Sequence, residues 1–254
     1  LVPDSGFAGV SDIIYDGFTP GHGGGRFVSA VLPEHHGGEI TGALHASLVR
    51  RNQMTLEWEP WMADRWTVLD GGRRIDFQLK EGLHWSDGVP VTAADWEFVS
   101  DLAVEKGAGK STGGFAHRFY LGNEAARFIA VDSHTVALEL PLVHSAAFRI
   151  AETPPLPRHA LHSTDPAEID AMGYLDDVSR ALAIPGTGPF TVMRFIAESS
   201  VVMQQNPHYF ETDSEGASLP YIDEYTALFA ADADMQIEML RSDRIDHTVL
   251  RNDY

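Results

Sequence analysis

Short stretches of alternating or helically spaced apolar residues can be assigned one by one along this chain. Phe27-Val28-Ser29-Ala30-Val31-Leu32 reads as a strand stopped by Pro33. From Glu39, the apolar positions Ile40, Ala43, Leu44 and Leu48 fall near helical spacing, which predicts an amphipathic helix with His45 off its stripe and Arg50-Arg51-Asn52 at its close. Trp66-Thr67-Val68-Leu69, the turn Asp70-Gly71-Gly72 and the alternating Ile75-Asp76-Phe77-Gln78-Leu79 predict a hairpin with Ile75, Phe77 and Leu79 facing inward. Trp85-Ser86-Asp87-Gly88-Val89-Pro90 is a turn. Thr92-Ala93-Ala94-Asp95 has the form of a capping box, the Thr hydroxyl accepting from the N–H of residue 95 while the carboxylate reaches back, and it opens a helix through Trp96, Phe98 and Val99.

Thr135-Val136-Ala137-Leu138-Glu139-Leu140 alternates as a strand and ends at Pro141. Thr153-Pro154-Pro155-Leu156-Pro157 is too stiff and too poor in donors for a sheet or helix interior and marks a connection, followed by a polar segment from His162 to Arg180. Gly186-Thr187-Gly188-Pro189 leads into a strand from Phe190 to Met193, with Val201-Val202-Met203-Gln204 as its hairpin partner. A last helix is expected over about Asp232 to Arg241, with Met235, Met239 and Leu240 on one side. The first 25 residues are glycine-rich and aperiodic, and read as loop. No repeat recurs at a fixed period.

At 254 residues with 44% hydrophobic and 10% aromatic content, the chain has material for one large core or two modest lobes. No run reaches the ~18 apolar residues of a membrane span. The 18 basic and 37 acidic residues leave a net charge of -19, which repels phosphate backbones and argues against a nucleic-acid partner. The absence of Cys removes disulfides, thiolate metal sites and Cys nucleophiles. Leu1 does not open a basic and then apolar leader, so any export signal is expected to be already removed or never present.

Several segments, in one order, resemble the family 5 extracellular solute-binding proteins, the oligopeptide-, dipeptide- and nickel-binding receptors of ABC importers. They are Trp58-Glu59-Pro60-Trp61-Met62-Ala63-Asp64-Arg65-Trp66, Asp70-Gly71-Gly72, Phe77-Gln78-Leu79-Lys80-Glu81-Gly82-Leu83-His84-Trp85-Ser86-Asp87-Gly88 and Pro90-Val91-Thr92-Ala93-Ala94-Asp95. Gly186-Thr187-Gly188-Pro189-Phe190, Gln205-Asn206-Pro207-His208-Tyr209-Phe210 and Leu219-Pro220-Tyr221-Ile222-Asp223 continue the match, which covers roughly residues 39–246. Turn and cap chemistry accounts for most of these residues without a site: Gly88 and Gly186 suit turns with positive φ, and Pro90 stiffens the approach to a helix. Two places depart from the family pattern. Asp16-Gly17-Phe18-Thr19-Pro20 stands where a Leu-Asp-Pro-like element is usual, and Asp243 of Ser242-Asp243-Arg244-Ile245-Asp246 replaces the Gly expected after a helix, which predicts mild strain there.

The resemblance implies an α/β fold, a periplasmic-binding-protein-like (type II, cluster C) lobe with an inserted extra α+β domain. Because such receptors are about twice this length, it also implies an N-terminal portion whose second lobe is missing. Residues 1–48 and 183–254 are then the two parts of the first ligand-binding lobe, ending at the crossover to the second, and 49–182 the inserted domain. The implied function is the substrate-binding component of an ABC importer, periplasmic or extracellular, held at the membrane by a lipid anchor or by its permease. It is expected to capture peptides by closure of two lobes and to hand them to that permease as a monomer, with no cofactor. Oligosaccharide- and nickel-chelate-binding receptors are the alternatives within the family, and the stretch Asp213 to Tyr221 resembles the sugar-binding relatives. Glu34, His35, His36 and Tyr120 are the ligand-binding candidates because the resemblance places their segments near the cleft, with Trp61 and Phe115 as further aromatic platforms for a sugar.

The twelve histidines, densest at His35-His36 between His22 and His45, raise metal ligation, but adjacent side chains diverge and no metal ligand is assigned. No nucleophile elbow, His-Glu-x-x-His or phosphate loop occurs, and Gly21-His22-Gly23-Gly24-Gly25 has no Gly-x-Ser-x-Gly partner. The chain is therefore expected not to be an enzyme and no catalytic residue is assigned; a sensory rather than transport role stays open.

Overall fold

A computed structural model describes residues 23–32, 36–52, 54–104, 115–161 and 184–248. In chain order its elements begin with β1 (Arg26–Val31), α1 (His36–Leu44), β2 (Val49–Arg51), β3 (Trp58–Pro60), β4 (Ala63–Leu69), β5 (Arg74–Leu79), α2 (Ala94–Val104), β6 (Tyr120–Leu121) and β7 (Glu124–Ala125). They continue with β8 (Arg127–Ala130), β9 (Thr135–Glu139), α3 (Ala147–Ala151), β10 (Phe190–Ile196), β11 (Ser200–Gln205), β12 (Glu224–Phe229), α4 (Ala233–Arg241) and β13 (His247–Thr248). The chain divides into two compact units, one centred on Ala46–Met172 and the other on Phe18–His45 with Gly173–Tyr254.

The second unit is a five-stranded mixed sheet in the order β10-β11-β12-β1-β13. β10, β11 and β12 pair antiparallel, whereas β12 and β13 flank β1 in parallel. Parallel neighbours need a crossover, and α4 supplies the one from β12 over β1 to β13. Alternation along β1 splits the core into two layers. On one face Val31 joins Ile40, Ala43 and Leu44 of α1 and Phe190, Val201, Met203 and Ala227. On the other face Ala30 joins Ala230, Met239 and Ile245, with Val28, Leu32 and Leu228 packed against them. A sheet covered on both faces by helices is the α/β architecture expected.

The first unit carries the antiparallel sheet β4-β5-β9-β8. Ile75, Phe77 and Leu79 are buried, as the alternation predicts. The Phe148 ring of α3 meets Trp66 edge-on at 5.1 Å and Phe77 at 6.2 Å, and stacks on Trp58 at 5.7 Å. Helix α2 buries Trp96, Val99, Leu102 and Ala103 on its inner face. It also closes the outer edge of β8. Ser100 Oγ lies 3.1 Å from both the N–H and the carbonyl of Phe128, and Glu97 Oε1 accepts from the Ala130 N–H at 3.2 Å. Two side chains thus satisfy backbone groups that an unpaired edge would expose.

Five expectations change. The helix from Glu39 ends at Leu44, and Arg50 and Arg51 lie in β2, paired with β3. Its carbonyl end is capped by the Gly188 N–H, while Leu48 turns away to accept from the N–H groups of Trp61 and Ala63. His45, expected off the apolar stripe, is buried. Gly186 serves close approach instead of a left-handed turn: a Cβ there would lie 2.2 Å from the Leu44 carbonyl oxygen. The capping box is formed by half. Asp95 Oδ2 accepts from the Thr92 N–H at 2.9 Å, but the Asp95 N–H goes to the Thr92 carbonyl and not to its hydroxyl. Along α4, Met239 is buried but Met235 and Leu240 are exposed; Gln236 is the second buried residue. The Asp16–Pro20 and His162–Arg180 expectations lie outside the described residues.

Candidate functional site

In open α/β sheets ligands bind beyond the carboxyl ends of the strands, where loops diverge and backbone groups lose their ladder partners. In the second unit, β12, β1 and β13 end on the same side. The rim there is built from few groups. The Ala230 N–H donates to Val31 O at 3.0 Å, locking the exits of β12 and β1 together. Gln236 Nε2 and Thr248 Oγ1 both donate to Ala30 O, at 2.9 and 3.1 Å. Asp232 caps α4 at this rim, its Oδ1 accepting from the Met235 N–H at 2.7 Å. On the outer side of β1, Asp246 Oδ2 takes the Val28 N–H at 2.7 Å, and the His247 ring stacks on Phe27 at 6.3 Å.

Of the four ligand-binding candidates, Glu34 and His35 lie outside the described residues. His36 is the first residue of α1, in the unit that carries this rim. Tyr120 stands half-buried in β6, opposite Ala125 of β7, in the first unit. His36 and Tyr120 therefore belong to different units. Trp61 lies under the Arg50 guanidinium, 5.5 Å from the ring centroid, and Arg50 is itself paired with Glu59 at 2.6 Å. Phe115 begins a single 3-10 turn, Phe115–Phe119. Gln236 and Thr248 were not legible as rim residues, because one glutamine in a helix and one threonine in a two-residue strand carry no motif.

Among the described residues no three His, Asp or Glu side chains converge where a metal ion could be held. His45, at the end of α1, is fully buried, and that desolvation pushes its imidazole down to about 4. A concavity of about 660 Å³ lies in the first unit, between the start of β4, the end of β5 and the turn from β8 to β9. Its charges are largely used internally: Arg65 pairs with Asp64 at 3.0 Å, and Asp132 accepts from the His134 N–H and the Thr135 hydroxyl. Among the described residues no helix is long and apolar enough to cross a membrane.

The mixed sheet with a helix on each face and an inserted antiparallel domain defines a periplasmic-binding-protein-like α/β fold. It superposes on the oligopeptide-binding protein AppA from Bacillus subtilis in complex with a nonapeptide with a TM-score of 0.74 at 20% identity, covering 89% of this chain and 44% of that one. The model of the bacterial extracellular solute-binding proteins, family 5 Middle, matches residues 57–253, and the chain belongs to that family. It is 28% identical over 207 residues to a probable ABC transporter-binding protein of Deinococcus radiodurans, covering 79% of this chain and 34% of the relative. It is 27% identical over 187 residues to the periplasmic alpha-galactoside-binding protein of Rhizobium meliloti, covering 70% of this chain and 27% of the relative. The chain thus spans between about a quarter and a third of the length of these curated relatives. The family is one of solute receptors and not of enzymes.

Proposed function

We propose that this chain forms part of the substrate-binding component of an ABC importer, periplasmic or extracellular, which captures peptides and delivers them to a membrane permease. Family membership over residues 57–253 is the observation that carries the reading. In this reading residues 1–48 and 183–254 make a ligand-binding lobe and 49–182 an inserted domain. The ligand lies along the carboxyl rim of β12, β1 and β13, and a second lobe closes over it. Closure is favoured only to the extent that the ligand binds the closed form more tightly. Peptide is the first choice because an extended backbone offers hydrogen-bonding groups at every residue, which a receptor can use while tolerating varied side chains. Glu34, His35 and His36, just beyond β1 in sequence, and Tyr120 are the proposed contacts. Membrane association runs through a lipid anchor or through the permease.

Oligosaccharide is the second reading, favoured by the likeness to the alpha-galactoside-binding relative. Thermal-shift measurements on the full-length protein with dipeptides, oligopeptides, cello- and xylo-oligosaccharides and nickel chelates separate the possibilities. A rise in melting temperature with peptides supports the reading; a rise with sugars or nickel chelates alone overturns the peptide choice.

A further inference from the structure

Three hydrogen bonds converge on the exit of β1, and only one of them is backbone to backbone. Val31 O takes the Ala230 N–H. Ala30 O, one residue earlier, is saturated by two side chains, Gln236 Nε2 and Thr248 Oγ1. β13 runs parallel to β1 at this level, with Thr248 in register with Ala30, so the Thr248 hydroxyl adds a side-chain bond to that pairing.

Gln236 is 2% exposed. Ala30 O can only accept, so the amide must turn its NH₂ group toward it, and the orientation admits no flip. Its Oε1 is consequently buried with no hydrogen bond. An amide oxygen left in this way is destabilising, and Met or Leu would fill the same stripe beside Met239 without that penalty. The value of the glutamine at this position therefore rests on what its donor does.

We propose that Gln236 is a positioning residue for ligand capture: its amide ties α4 to the Ala30 carbonyl and so fixes the carboxyl end of β1 against the start of α4. The importance of that rim for the ligand rests on the function proposed above; the positioning itself does not, and the two are tested separately.

The experiment compares full-length wild type with Gln236→Met and Gln236→Glu by hydrogen exchange at pH 5 and pH 8, without ligand. In Gln236→Met, amides of residues 29–32 are expected to exchange at least ~10-fold faster relative to wild type at both pH values, while those of Val201–Met203 in the same sheet keep their protection. A glutamic acid can donate to Ala30 O only when protonated. Gln236→Glu should therefore approach wild type at pH 5 and match Gln236→Met at pH 8, with wild type at each pH controlling for Asp232, Asp246 and His247 nearby. Equal acceleration at 29–32 and 201–203 would mark a merely structural role and overturn the proposal, as would unchanged exchange at 29–32 or a Gln236→Glu variant indifferent to pH. The compound that raises the melting temperature in the screen above then serves as the binding probe: Gln236→Met is expected to bind it at least ~10-fold more weakly than wild type, and unchanged affinity would overturn the role in capture. If no compound raises it, the functional reading fails while the exchange result stands.

Discussion

The backbone N–H of Gly188 donates to the carbonyl of Leu44 over 2.8 Å, and the two segments run so close that a Cβ at residue 188 would lie 2.5 Å from the Leu44 carbonyl carbon. The contact ends α1 and joins it to the strand that begins at Phe190, so one glycine caps a helix and sets the spacing of a layer. Asn206 braces the same turn, its Nδ2 donating to Gly188 O at 2.8 Å. Because the obstructing atoms are backbone, no side chain can rotate away. Gly188→Ala is expected to destabilise the protein by about 1–3 kcal/mol, as overpacking does. Gly216→Ala, with nothing within 4 Å of the added carbon but a φ of +83°, should lose only about 1 kcal/mol. Urea unfolding of both variants checks the order; equal losses would mean that the approach at 188 is not tight.

Ser100 is the second such junction. Fully buried on α2, its hydroxyl serves both backbone groups of Phe128 on the outer edge of β8. Ser100→Ala removes one oxygen and leaves a buried N–H and a buried carbonyl without that partner, for an expected loss of about 1–3 kcal/mol. Ser100→Cys, similar in shape but a weaker hydrogen-bonding group, should fall between. Chemical denaturation is the measurement, and an Ala variant as stable as wild type would show that water fills the gap.

What could be read from the sequence depended on whether a pattern had one physical cause. The alternation of Ile75, Phe77 and Leu79 has one, a strand with a single buried face, and that hairpin is where it was expected. β12 has two covered faces, so Glu224-Tyr225-Thr226-Ala227-Leu228-Phe229 shows no alternation to mark it as a strand, although it is the strand beside β1. Leu48 kept the helical spacing of Ile40, Ala43 and Leu44 by coincidence; what ends α1 at Leu44 is Gly188, distant in sequence. The order of the turn and cap segments was enough to reveal the family. The rim was not legible, because Gln236 and Thr248 act through one carbonyl of β1, and only the packing of α4 and β13 brings them to it.

His45 links the fold to pH. Burial holds its imidazole near 4, below the ordinary value of 6.5, so the folded protein takes up this proton later than the unfolded chain does. A depressed histidine contributes stability that is fully present above about pH 6.5 and is lost as pH falls toward about 4. The loss amounts to roughly 3 kcal/mol from this one group when each pKa unit is worth about 1.4 kcal/mol. In His45→Gln that part of the acid-side slope should vanish. Unfolding free energies measured from pH 7 to pH 4 provide the check, and parallel slopes in the two proteins would mean that the imidazole protonates freely in the folded state.

The end of α4 provides a prediction of opposite sign. Asp243 has φ +53°, in the left-handed region, where a Cβ is unfavourable. Its N–H reaches the Leu240 carbonyl at 3.3 Å, and the Arg244 N–H reaches the Met239 carbonyl at 2.9 Å. These are the paired bonds of a Schellman ending, whose left-handed position favours glycine. The strain expected from Asp at this position is thus present as backbone geometry. Asp243→Gly keeps both bonds and relieves it, so the variant should gain about 0.5–1 kcal/mol, the range found when a residue suits its native backbone conformation better. Asp243→Val, β-branched and without a polar group to bond locally, should lose at least as much. Both signs are read from the urea midpoint at constant m-value. A glycine variant no more stable than wild type would mean that the Asp243 side chain compensates the left-handed geometry in full.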